Sequence, residues 1–394
     1  MIALLDIVLT LVSLVLVVPA MILFAETILA LAYQPKLSRP EGRRPNITVL
    51  MPAHDEATGI RHSVESLLPQ LLPTDRLLVV ADNCSDDTAT VAASAGAEVI
   101  ERRNPDQRGK GFALDFGVRH LRDNPPEVVV IADADCEFSP GSIDLLARDC
   151  QRLGRPIQAL YLMLAPEGAG AKTRVAQFAW IMKNQVRPTG LLALALPCQL
   201  MGTGMAFTWT CICSAPLATG HIVEDMQLGL ELTRQGMPAC FCPEAKVTSY
   251  FPRTEEGIRT QRTRWEHGHL GMIIAEAPRL LVSSLRRLNV PGVVLAIDLL
   301  VPPLTLFVLL LMVNAAIDIA FDLATGNQTP LQVAVIDGTL TAIAVFVSWI
   351  RYGRQILTPR MLASAPAYMV RKFPIYLRFL LARQLNWVRS KRDP

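Results

Sequence analysis

The chain has 394 residues, 51% hydrophobic and only 19% charged, which is more apolar and less charged than an ordinary soluble domain. Its length admits one large domain or two smaller ones. The formal net charge of +3 carries little information until it is mapped along the chain, and no nucleic-acid partner is expected.

The first element is an uncharged run of nineteen residues, IVLTLVSLVLVVPAMILFA (7–25), long enough to cross a bilayer. Asp6 precedes it, with no basic leader and no small-residue cleavage site, so residues 1–33 are expected to remain as a membrane anchor. Arg43 and Arg44 follow it.

From residue 45 the pattern changes. NITVLMPAHDE (46–56) is a short β run with a polar end, followed by the helical SVESLLPQLL. RLLVVADNCSDD (76–87) is a second strand, followed by a helix and a short strand. GKGFALDFGVRHLRD (109–123) is helical, and EVVVIADADCE (127–137) is a third strand. Strand–helix alternation predicts a mostly parallel sheet covered on both faces, and ligands of such sheets bind beyond the strand ends. Three strand ends carry polar residues: His54-Asp55-Glu56, Asp82-Asn83-Cys84 and Asp133/Asp135. No GxGxxG follows the first strand and no Walker sequence is present.

Asp133 and Asp135 are hard oxygen ligands with no His or Cys cluster in a zinc spacing, which suits Mg²⁺ or Mn²⁺. Asp82 is a candidate acceptor for base or ribose hydroxyls, or a turn cap. Lys110 is a candidate contact to a base or phosphate, or a solvated lysine. GLLALALPCQLMGTGMAF (190–207) reads either as an acceptor-side segment or as core. In GHIVEDMQLGLELTRQG (220–236), Glu224 and Asp225 stand where a helix begins; they suit either the helix dipole or abstraction of an acceptor proton. Gln261, Arg264 and Trp265 lie at i, i+3 and i+4, one helix face joining a phosphate-binding guanidinium to a stacking indole. A juxtamembrane basic helix would show the same spacing.

Two more apolar runs, 290–317 and 332–350, are expected to span the membrane, interrupted by Asp298 and Asp337, with Pro302 and Pro303 kinking the first. The stretch 318–331 has no Lys or Arg, whereas the 44 residues from Arg351 hold ten basic residues and one acid. The positive-inside rule then places residues 45–275 and the tail in the cytoplasm and 318–331 outside. All eight cysteines lie between Cys84 and Cys242, on the side where thiols stay reduced. The tail, 358–394, is expected to form basic interfacial helices, with aromatic, aliphatic and basic residues alternating over 368–390.

The order Asp82, Asp133-Ala134-Asp135, Glu224-Asp225, Gln261-x-x-Arg264-Trp265, between membrane spans, resembles the membrane-bound family 2 glycosyltransferases, among them cellulose, hyaluronan and chitooligosaccharide synthases and exopolysaccharide transferases. The resemblance covers about residues 45–270. It implies a GT-A type, Rossmann-like domain and a hexosyl- or N-acetylhexosaminyltransferase using a UDP-sugar. Pro52 and Glu56 would line the nucleotide pocket, Asp82 would meet the uracil or ribose, and Asp133 would sit by nucleotide and sugar. Asp135 would bind Mg²⁺ or Mn²⁺, Asp225 would be the general base, Arg264 would hold the diphosphate, and Trp265 would form the acceptor site. The expected reaction is an inverting transfer to a growing exopolysaccharide or cell-surface glycan at a bacterial-type inner membrane, with an oligomer or export partner. The alternatives are addition of one sugar to a polyprenyl-linked or other lipid acceptor, and an inactive nucleotide-binding scaffold. Two positions depart from the family pattern: Ala81 precedes Asp82 where many members have an acid, and Val223 precedes Glu224 where many processive members have Thr.

Overall fold

The computed structural model describes residues 2–35 and 43–370. The strands are β1 (Ile47–Ala53), β2 (Arg76–Asp82), β3 (Glu98–Arg102), β4 (Val128–Ile131), β5 (Glu137–Phe138), β6 (Ile157–Leu164), β7 (Met205–Thr208) and β8 (Cys240–Tyr250). They form one eight-stranded sheet in the order β3-β2-β1-β4-β7-β6-β8-β5.

This topology corrects the expected mostly parallel, Rossmann-like sheet of GT-A type. β3, β2, β1 and β4 are mutually parallel, as is β6 with β8. The β4–β7, β6–β7 and β5–β8 pairings are antiparallel, so the sheet is mixed. The reason lies in the segment 190–207. Its apolar end becomes β7 and returns against β4, pairing Met205 with Ile131 and Phe207 with Val129. Hydrophobic pattern does not encode that direction. The third expected strand also ends early, at Ile131, leaving Asp133 and Asp135 in the connection to β5.

Alternating side chains bury both faces of the sheet. Ile47, Val49 and Met51 pack with Ile60, Val64 and Leu67 on one face. Leu50, Leu78 and Val80 pack with Ala113, Leu114 and Val118 on the other. Both faces covered by apolar contacts hold the strand ends, and hence the loops that follow them, in fixed relation.

Among the described residues, three helices are long and apolar enough to cross a membrane: Ile2–Ala32, Leu304–Thr325 and Thr329–Gly353. The run read as one kinked span is two helices, Val290–Leu299 and Leu304–Thr325, separated at Pro302 and Pro303, which cannot donate backbone hydrogen bonds. The stretch 318–331, free of Lys and Arg, is mostly helical, and only Gly326–Gln328 joins the last two spans. Asp318 is buried between spans and accepts from Ser13 Oγ (3.1 Å) and Asn314 Nδ2 (2.9 Å), so this intramembrane carboxylate faces protein. The tail forms a helix over Pro359–Val370; the rest of the expected interfacial segment, 371–394, lies outside the described residues.

The helical excursion Ala171–Ala193 joins the sheet domain to the spans. Val175, Phe178 and Ile181 share one core with Ala20 and Leu23 of the first span and with Phe307 and Ala344 of the others.

Candidate active site

The ends of β1 and β2 turn sharply because Asp55 (φ 51°) and Asn83 (φ 52°) adopt the left-handed conformation that these short polar residues tolerate. His54 Nδ1 lies 2.7 Å from the Asp82 carbonyl and ties the two strand ends together. The Asp82 carboxylate is buried. Its Oδ1 accepts from Arg102 Nη1 (2.6 Å) and Asn83 Nδ2 (3.0 Å). Arg102, from β3, was not singled out in the sequence; it is Asp82's charge partner.

Asp133, Asp135 and Cys136 place their ligand atoms within 4.8 Å of one another. Burial, reinforced by the Asp135 and Asp133 charges, pushes the Cys136 thiol well above its ordinary value, so it stays protonated and is a poor ligand. The two carboxylates alone therefore make a hard oxygen pair fitting Mg²⁺ or Mn²⁺. Lys110, at the start of the Lys110–His120 helix, donates to Asp133 Oδ1 and to the Gly202 carbonyl (2.7 Å). Burial would lower the Lys110 ammonium, but the Asp133, Glu224 and Asp225 carboxylates outweigh it and hold it above its usual value.

Gly202 (φ +93°) carries the loop before β7 across the site. A Cβ there would lie 3.4 Å from Asp225 Oδ2, and no L side chain adopts that backbone readily. Glu224 and Asp225 open the Glu224–Arg234 helix, whose N-cap, Val223, makes no side-chain cap bond. The acids stand in the first turn, where the dipole favours negative charge. Burial raises Glu224 to about 7, the neighbouring Asp225 adds to this, and Lys110 and Arg264 oppose it.

The Gln261–Trp265 motif lies in the Glu255–Ala275 helix, capped by Thr254 Oγ1 accepting from the Gly257 N–H (3.2 Å). Gln261 Oε1 is buried with no hydrogen-bond partner among the described residues. Trp265 packs on Trp180, with ring centroids 4.8 Å apart. Gly268, one turn on, sets the approach of this helix: a Cβ there would lie 2.4 Å from Val223 Cγ1. Gly268→Ala is therefore expected to push the helix off the Glu224–Asp225 turn. The result should be transfer lowered at least tenfold with the secondary structure retained, read by activity beside circular dichroism.

All eleven residues singled out from the sequence—Pro52, Glu56, Asp82, Lys110, Asp133, Asp135, Glu224, Asp225, Gln261, Arg264 and Trp265—line one cleft. The cleft is open to solvent at its mouth. Sequence reading missed Arg102, Trp180, Lys183 and Asn184. The last three lie on the Ala171–Ala193 excursion, where a lone Trp and Lys three apart in an apolar stretch were the available signal.

Residues 45–268 match the sequence profile of the family described as glycosyltransferase like family 2, more than half of the chain. The chain belongs to that family. Among curated relatives in it, a probable glycosyltransferase of Bacillus subtilis (strain 168), YdaM, is 25% identical over 258 residues, 58% of this chain and 56% of YdaM. The 4,4'-diaponeurosporenoate glycosyltransferase of Staphylococcus aureus (strain bovine RF122 / ET3-1) is 33% identical over 96 residues, 24% of each chain. The chain thus spans about half the length of the first relative and a quarter of the second. Among solved structures, a mannosyltransferase from Pyrobaculum calidifontis in complex with GDP-Man and Mn²⁺ is 16% identical with a TM-score of 0.59, covering 95% of this chain and 100% of that one. That likeness concerns the fold alone. With three long apolar helices, this family 2 member is a multi-pass membrane protein.

Proposed function

We propose that this protein is a membrane glycosyltransferase that moves one sugar from a nucleotide-sugar donor, a UDP-sugar by the family resemblance, to a discrete lipid acceptor. The supporting observation is the joining of the paired carboxylates Asp133 and Asp135, the Glu224–Asp225 turn and the Gln261–Trp265 face in one cleft beside membrane spans. Addition of a single sugar is favoured over polymer extension on two grounds. The Staphylococcus relative is named for a discrete acceptor. Val223 also stands where many processive members carry Thr. The deciding experiment incubates membranes with a panel of UDP-sugars and GDP-mannose and analyses product length and lipid attachment. A long polymer would restore the processive reading.

In this reading the nucleotide lies along Pro52, Glu56 and Asp82, with Asp82 already oriented by Arg102. Asp133 and Asp135 would hold Mg²⁺ or Mn²⁺, which when bound offsets the charge developing on the diphosphate. Lys110 and Arg264 supply fixed positive charge in the same region. Gln261 and Trp265 position the acceptor. Asp225 accepts the acceptor proton as the hydroxyl attacks the anomeric carbon opposite the leaving group, which inverts that centre. EDTA treatment is expected to abolish transfer, with Mn²⁺ restoring it, and Asp135→Ala to keep the fold while losing most turnover. Full activity of metal-free enzyme would remove the metal from the scheme.

The charge pattern supports a cytoplasmic catalytic domain at an inner, plasma-type membrane. A cysteine placed at Asn327, in the turn between the last two spans, is then expected to react with an impermeant maleimide on intact cells, while one at the exposed Arg286 is not. The reverse pattern would invert the topology.

A further inference from the structure

A second cavity, open to solvent at its mouth, adjoins the cleft. Trp180, Lys183 and Trp265 line both spaces and form the partition between them. On the far side the walls are mostly apolar, formed by Leu23 of the first span, Ala176 and Ala179 of the excursion, and Pro303 and Leu304 where the second span begins; Arg187, Arg262, Glu266 and His269 complete the lining on the other wall. The cavity therefore runs from the level at which two spans meet the sheet domain up to the floor of the cleft.

Lys183 stands at the partition on a π-helical turn, Met182–Val186, which inserts an extra residue into the helix. The turn presents Lys183 and Asn184 to the cleft. The Lys183 ammonium lies 5.6 Å from the Trp180 ring centre. Among the described residues it makes no ion pair or hydrogen bond. Its neighbour Asn184 is 1% exposed, donates to the Tyr161 carbonyl (3.3 Å), and keeps Oδ1 buried without a partner. Arg187, one turn on, is already neutralised by Glu26 and Asp298. Burial lowers the Lys183 ammonium; the Asp225 and Asp298 charges oppose this and the Arg187 charge adds to it, so an anion reaching Lys183 from the cavity would stabilise it further.

We propose that this cavity is the acceptor site and that its acceptor is an anionic phospholipid-type molecule: an apolar chain, a phosphate, and beyond it a hydroxyl-bearing head. The order of groups in the protein sets the order in the ligand. The chain lies among Leu23, Ala176 and Ala179, the phosphate meets Lys183, and the hydroxyl passes the Trp180–Trp265 pair to reach Asp225. In the transfer, the bond from the anomeric carbon to the diphosphate oxygen breaks, and its electron pair leaves on the nucleoside diphosphate. The head hydroxyl oxygen bonds to that carbon, and its proton passes to Asp225. This assignment rests on the glycosyltransfer reading for its chemistry but not for its binding site.

The test uses the full-length protein in nanodiscs with two photoactivatable probes, phosphatidylglycerol and diacylglycerol, each carrying a diazirine on one chain. The phosphatidylglycerol probe is expected to crosslink to the Ala176–Ala179 stretch. Ala179→Trp, or the milder Ala176→Leu, should cut that labelling at least tenfold while calorimetry with UDP and Mn²⁺ shows binding as in wild type. Lys183→Gln should cut labelling by the phosphatidylglycerol probe but not by the diacylglycerol probe, and Lys183→Arg should restore it. Crosslinks confined to the outer faces of the spans, or cavity labelling unchanged in Ala179→Trp, would overturn the proposal. Transfer only to a water-soluble acceptor, with the cavity unlabelled, would overturn it and leave the glycosyltransfer reading standing. Cavity labelling as described, with no sugar moved from any donor, would support the lipid site and remove the transfer reading instead.

Discussion

Replacing Asp225 with Asn is expected to leave donor binding intact and lower transfer by about 10²–10⁴-fold, the range for losing positioned acid–base help. The substitution keeps the side chain's size and most of its hydrogen bonding, so Gly202, which needs close clearance from Asp225 Oδ2, need not move. Glu224→Gln should cost less, and its signature should be a change in pH dependence. Glu224 titrates near 7 because burial and the Asp225 charge oppose its ionisation. Below that pH it carries a proton; above it, Glu224 adds a second negative charge at the place where the acceptor proton is taken up. Transfer by the wild type should therefore rise as pH passes through about 7, and Glu224→Gln should lose that limb. Stability should move the other way. The native state holds a proton that the unfolded chain releases near 4.5, so this contribution is full below that pH and is lost as pH climbs through about 7. At pH 8 Glu224→Gln should thus be more stable than wild type. Calorimetry with the nucleotide sugar and radiolabelled sugar incorporation separate binding from transfer. Near-normal transfer in Asp225→Asn, with transfer abolished and binding intact in Glu224→Gln, would reassign the base to Glu224. Loss of binding in both would make the pair structural.

The parts of this protein that were legible in the sequence are those whose signal is local. β1 and β2 were readable because each is a short apolar run closed by polar residues, and the grouping of Asp82, Asp133, Asp135, Glu224, Asp225 and Arg264 followed from their order along a family pattern. What was not legible depends on partners far away in the chain. Arg102 binds Asp82 twenty residues distant, Gly202 is fixed by Asp225 and Lys110, and Gly268 by Val223. None carries a mark of its own. The antiparallel return of β7 was hidden for the same reason, since strand direction is decided by where the preceding helices dock and not by residue pattern. Asp298 is the clearest case. In the sequence it is an acid interrupting an apolar run; in the fold it belongs to a charge network with residues more than a hundred positions away.

That network carries the second large expectation. Arg187 Nε donates to Glu26 Oε2 (2.8 Å), and Nη2 donates to Asp298 Oδ1 (2.5 Å). The three residues are only 4–6% exposed, and they bind the first span, the excursion and the Val290–Leu299 helix into one unit. The helices are pressed together at this level: a Cβ on Gly190 would lie 2.0 Å from the Glu26 carbonyl oxygen. Arg187→Met fills similar volume but leaves two carboxylates buried without their cation. It should cost about 3–5 kcal/mol, as breaking a buried pair from one side does, seen as a lower midpoint in thermal or denaturant unfolding of the detergent-solubilised protein. Adding Glu26→Gln and Asp298→Asn should recover much of that loss, because the penalty comes from the stranded charges and not from the missing guanidinium. Catalysis should suffer separately. Gln199 donates its amide to Asp298 and lies three residues before Gly202, which crosses Asp225 and Lys110. Freed from Arg187, Asp298 no longer holds Gln199 in one place, so kcat should fall in Arg187→Met even at temperatures where it is fully folded. A wild-type midpoint for Arg187→Met would mean that these carboxylates find water or protons without the arginine. A wild-type kcat with a lowered midpoint would confine the network to stability and sever it from the Gly202 loop.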